Sequence, residues 1–98
     1  MSTLIEFSII PLDKGDSFSD YVANILGIIK KSGLSYELGP MGTCVEGDYD
    51  QVMALVKTCF DELQKKSQRI SMSLKLDYRK GKAGRIKTKV RAVEAKLK

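Results

Sequence analysis

Arg69-Ile-Ser-Met-Ser-Leu-Lys-Leu-Asp-Tyr-Arg79 decides the fold. Ile70, Met72, Leu74, Leu76 and Tyr78 alternate without a break with Ser71, Ser73, Lys75, Asp77 and Arg79. A period of two places one set on each face of a strand, so this segment reads as a long strand with an apolar and a polar face. A shorter copy of the pattern lies at Leu4–Ile10, where Ile5, Phe7 and Ile9 alternate with Glu6 and Ser8 until Pro11 and the polar Asp13-Lys-Gly-Asp16 end the strand.

Between these strands the period changes. Phe18, Val22, Ile25 and Ile29 recur at helical spacing, with Ser17 as the expected N-cap, Lys30 and Lys31 in the last turn and Gly33 at the C-terminal cap. Leu34–Gly39 and Thr43–Gly47 are two short strands joined by Pro40, Met41 and Gly42, which predicts a hairpin. Asp48 and Gln51 then stand at capping-box positions ahead of a second helix striped with Val52, Leu55, Val56, Cys59, Phe60 and Leu63. After the long strand, a Gly-containing loop leads to a final helix with Ile86, Val90, Val93 and Leu97 as a narrow apolar seam. The order predicts one α+β domain over residues 1–98, a ferredoxin-like βαββαβ sandwich. In it a four-stranded antiparallel sheet carries two helices on one face, with a C-terminal helix added.

The composition narrows the function. Of 98 residues, 43% are hydrophobic and 30% charged, and none is histidine. Without histidine the commonest general base and transition-metal ligand are missing, so neither a catalytic residue, a metal site nor a cofactor is expected. Cys44 and Cys59 lack C-x-x-C spacing and read as packing thiols. No apolar run reaches the ~18 residues that span a bilayer. The opening MSTLIEFSIIP has no basic n-region or small-residue cleavage site, which makes the cytoplasm the expected compartment. Nine of the seventeen Lys/Arg fall in 79–98 against one acid, Glu94, so the basic character belongs to the C-terminal loop and helix.

Side chains pointing away from the predicted helix layer are Glu6, Ser8, Ser35, Glu37, Cys44, Glu46, Ser71, Ser73, Lys75 and Asp77. Short serines suit a face that a second subunit covers better than one facing water. The helices also carry more apolar surface than a 98-residue monomer readily buries. A homo-oligomer is therefore expected.

Ser8-Ile-Ile-Pro11, Tyr36-Glu-Leu-Gly-Pro-Met-Gly-Thr43 and Val45-Glu-Gly47, in this order, resemble the small thiamine-binding protein family. The resemblance spans nearly the whole chain and is densest from Tyr36 to Gly47. It implies a ferredoxin-like fold, assembly as a dimer or a dimer-paired tetramer, and binding of thiamine or its hydroxymethylpyrimidine moiety without chemistry. Thiamine joins a cationic thiazolium to an aminopyrimidine, so a site needs a carboxylate, hydroxyls and an apolar wall. Ser8, Glu37, Thr43 and Glu46 are the expected polar groups and Tyr36 and Met41 the walls, with Gly42 letting backbone approach the ring. The site is expected near Thr43 and Glu46, with these residues converging on one end of the sheet.

Three other readings compete. One is nucleic-acid binding through the basic C-terminal segment, against which stands the lack of aromatic platforms on the central strands. A second is an enzyme with Glu37, Glu46, Asp77 and Lys75 as an acid–base set, which nothing in their spacing demands. The third is an amino-acid-sensing regulatory domain of the same topology.

Overall fold

A computed structural model describes residues 2–14, 19–81 and 85–97. The expected N-cap Ser17 and the stripe residue Phe18 lie outside the described residues, as does part of the loop before the last helix. The elements are β1 (Ser2–Pro11), α1 (Ser19–Ser32), β2 (Ser35–Leu38), β3 (Thr43–Gly47), α2 (Tyr49–Gln64), β4 (Ile70–Arg79) and α3 (Arg85–Lys96). The sheet is antiparallel throughout, in the order β2-β3-β1-β4, which is the ferredoxin-like arrangement.

Register fixes the two faces. Ile5 lies opposite both Val45 and Leu76, and Phe7 opposite both Thr43 and Leu74. Directly opposed residues share a face, so Thr3, Ile5, Phe7, Ile9, Tyr36, Leu38, Thr43, Val45 and the apolar β4 residues look toward α1 and α2. Glu6, Ser8, Ser35, Glu37, Cys44, Glu46 and the polar β4 residues look the other way. Ile25 and Ile29 of α1 and Val52, Leu55, Val56, Cys59 and Leu63 of α2 close the core on Ile5, Phe7, Ile9 and Val45. Cys59 is fully buried there, and burial pushes its thiol up to about 11.

Local chemistry sets the ends of the elements. At the start of α2 the Asp48 N–H donates to Gln51 Oε1 at 3.3 Å, which satisfies a donor that the helix cannot. Gly33, with φ +78°, closes α1 in the left-handed region. Asp13, just past β1, accepts hydrogen bonds from the Ser67 hydroxyl and the Gln68 N–H, tying the end of β1 to the start of β4. Those bonds hold its carboxyl below the usual range.

The surplus apolar surface is shared between helices and sheet. Val22, Tyr49, Val90 and Val93 are exposed on the helices, and on β4, an edge strand that α1 and α2 do not fully cover, Met72, Leu74, Leu76 and Tyr78 are 37–49% exposed. Helix α3 lies on the opposite face, against β3, held by an ion pair from Lys89 Nζ to Asp77 Oδ2 at 2.6 Å. Its seam stays open, with Val90, Val93 and Leu97 largely exposed. No helix among the described residues is long and apolar enough to cross a membrane.

Candidate functional site

The residues expected to form one site divide between two cavities on opposite faces of the sheet. Tyr36, Glu37 and Glu46 line the larger, about 800 Å³, together with Leu34, Ser35 and α3 residues including Lys87, Arg91 and Glu94. Ser8, Met41, Gly42 and Thr43 line the second, about 380 Å³, between α1 and the hairpin. Positions 43 and 46 differ by three along one strand, and an odd offset puts two side chains on opposite faces.

In the α3-side cavity, Glu46 is only 7% exposed and accepts a hydrogen bond from the Ser2 hydroxyl at 2.6 Å. That bond links the first residue of β1 to β3 beneath α3. Five charged side chains, Glu37, Glu46, Glu94, Lys87 and Arg91, surround the space. Leu34, Tyr36, Ile86 and Val90 add apolar wall to this ring of charge.

The α1-side cavity has the opposite character. Its walls are Phe7, Ile9, Val22, Ile25, Leu26 and Leu38, and its volume falls in the range of small-ligand pockets. The β1–β3 ladder stops at Phe7 opposite Thr43, whereas β1 continues beside β4 as far as Pro11 opposite Ile70. Residues 8–10 therefore have no strand neighbour on the hairpin side, and the cavity opens onto that free edge. The hairpin tip is pinned by the Gly39 N–H donating to the Gly42 carbonyl at 2.8 Å. Gly42 packs so closely on β1 that an added Cβ would lie 3.2 Å from Glu6 Cγ and 3.3 Å from the Phe7 carbonyl oxygen. A side chain there would require Glu6 or the Phe7 backbone to give way by a few tenths of an ångström.

One hydroxyl furnishes this apolar space. Thr43 is only 8% exposed, and its hydroxyl has no hydrogen-bond partner among the described residues. Ser8 lines the space at the strand edge, with its side chain on the open face of the sheet. Met41, 90% exposed, stands at the mouth. Flat apolar walls, the Thr43 hydroxyl and a free strand edge can together hold a small heteroaromatic ring with donors and acceptors along one side.

Residues 5–94 match the model of the family described as thiamine-binding protein. The chain belongs to that family. UPF0045 protein MJ1052 of Methanocaldococcus jannaschii is 40% identical over 88 residues, covering 90% of this chain and 88% of that protein. UPF0045 protein Mb1933 of Mycobacterium bovis is 33% identical over 98 residues, covering 99% and 96%. The crystal structure of MJ1052 superposes with a TM-score of 0.87 at 38% identity, covering 95% of this chain and 96% of that one. A Thermotoga maritima protein, described as a candidate thiamine biosynthesis/salvage protein, shares the fold with a TM-score of 0.79 at 23% identity, covering 93% and 99%. Within this thiamine-binding family chain, four of the seven motif residues named from the sequence gather at the α1-side cavity. Sequence reasoning missed Val22, Ile25 and Leu26 as its wall. Their helical stripe marked them as apolar, but only the packing shows that they face a cavity as well as the core.

Proposed function

We propose that this chain binds thiamine, or its hydroxymethylpyrimidine half, without chemistry, in the cavity between α1, the end of β1 and the β2–β3 hairpin. The observation that carries the reading is the Thr43 hydroxyl and the free edge of β1 at Ser8 in an otherwise apolar space within a family described as thiamine-binding. The pyrimidine ring lies between the aliphatic side chains of α1 and the hairpin, its polar edge toward Thr43 and the free backbone edge of β1. Three features support binding without turnover. Histidine is absent, Glu46 is engaged with Ser2 on the far face, and no acid–base pair meets in the cavity among the described residues.

The working form is a homo-oligomer built through β4. Its free edge and the exposed stripe of Met72, Leu74, Leu76 and Tyr78 offer a second copy both hydrogen-bonding backbone and apolar surface. For the competing nucleic-acid reading, the open face of β1 and β3 would need stacking platforms. It carries Glu6, Ser8, Cys44 and Glu46 instead.

Calorimetric titration with thiamine tests the site. Thr43→Val removes one hydroxyl without changing side-chain size, and is expected to weaken binding about threefold to tenfold, the worth of one neutral hydrogen bond. Glu46→Gln, in the other cavity, is expected to leave the affinity within about twofold of the parent, since no bond to the ligand is lost. The reverse pattern would move the site beneath α3.

A further inference from the structure

A smaller cavity, about 160 Å³, lies on the open face of the sheet and is lined by Glu6, Phe7, Ser8, Met41, Ser73, Leu74 and Lys75. Phe7, Ser8 and Met41 also line the α1-side cavity. The two spaces therefore meet over the free edge at Ser8, where β3 no longer accompanies β1, with Met41 standing between them. One lobe is apolar and the other charged.

Glu6 is the fixed charge of the second lobe. Its Cγ packs against the Gly42 backbone, and its carboxylate makes no hydrogen bond or ion pair among the described residues. Across β1–β3–β2 the register sets Glu6, Cys44 and Glu37 side by side. The Cys44 thiol is pushed up first by burial and then by both of those carboxylates, so the negative potential reaches well into this face. Lys75 lies directly opposite Glu6 on β4, a single cation at the end of a flexible stem. The charged lining of this lobe is Glu6 and Lys75, one of each sign, so the preference for a cation rests on Glu6 packing against Gly42 while the Lys75 stem can turn aside.

We infer that the two cavities form one bipartite site across the free edge of β1, in which the apolar lobe takes a neutral ring and Glu6 selects a cationic group joined to it. This rests on the binding site proposed above and extends it: the preferred ligand is the charged, two-ring molecule rather than its neutral pyrimidine half. Glu6 is then the residue that sets specificity, through a charge pair formed only when a cation is present.

The test is calorimetric titration of the parent chain and Glu6→Gln with thiamine and with neutral hydroxymethylpyrimidine, at low and high salt. Glu6 is exposed, so the neutral isostere is expected to fold as the parent does. The expected result is a loss of about threefold to tenfold for thiamine with the neutral pyrimidine within about twofold, the thiamine loss shrinking as salt screens the pair. If both ligands bind and their affinity ratio is unmoved by Glu6→Gln, or both weaken equally, the bipartite assignment is overturned while the cavity remains a binding site. If neither ligand binds the parent chain, both conclusions fall.

Discussion

Thr3 and Thr43 sit on the same helix-facing side of the sheet, and their hydroxyls have opposite meanings. Thr3 is fully buried opposite Gly47 and Tyr78, and its Oγ1 has no partner among the described residues. Nothing but protein surrounds it, so the unmade hydrogen bond is a plain cost. Thr3→Val replaces that hydroxyl by a methyl of the same shape and is expected to raise stability by roughly 1 kcal/mol in urea unfolding. A loss of stability would show that a hidden partner satisfies the group. Thr43 instead borders open space, where a ligand can supply what the protein does not. Its candidacy as a site residue was readable from the family pattern around Gly42 and Thr43. Its partners were not, because Glu46 is near it in sequence and on the other side of the sheet in space. The alternation already carried that information, and the density of the motif obscured it. Glu6 was legible only as an open-face acid. Its position beside Gly42 depends on the β1–β3 register, which no local pattern specifies.

Among the elements, β4 was legible almost to its ends, because ten residues of strict alternation admit no other regular structure. α2 was legible equally well from its stripe and its Asp48–Gln51 start. Alternation could not say how far the helices reach across the sheet, and this is why the apolar surface left open on β4 was not foreseen beside that on the helices. A long edge strand with one apolar face is a hazard for a solitary protomer. Leu74 and Leu76 border the core residues Phe7 and Ile5 but are more than a third exposed, so lysines there put charge on that face with the ammonium groups in reach of water. The double variant is expected to shift light-scattering mass from a multiple of 10.9 kDa toward that single-chain value. An unchanged multiple would exclude β4 as the contact. Helix α3, held by Lys89 and Asp77 with its seam largely exposed, was legible as a helix but not as a cover for Glu46.

At the scale of the whole molecule, the sheet separates two environments. The helix side gives the core and, at the hairpin end, a cavity with apolar walls; the opposite side collects charge, and α3 roofs part of it. The proposed ligand site depends on a mismatch in strand length: β1 and β4 run on past the end of β3 and leave a free edge that a ring can meet. The most direct test is a titration of isotopically labelled protein with thiamine, followed by amide chemical-shift changes. The largest shifts are expected at Ser8, Ile9, Val22, Leu26 and residues 38–43, with Glu46, Lys87 and Arg91 little affected. Shifts concentrated under α3, or none at saturating thiamine, would contradict the placement of the site.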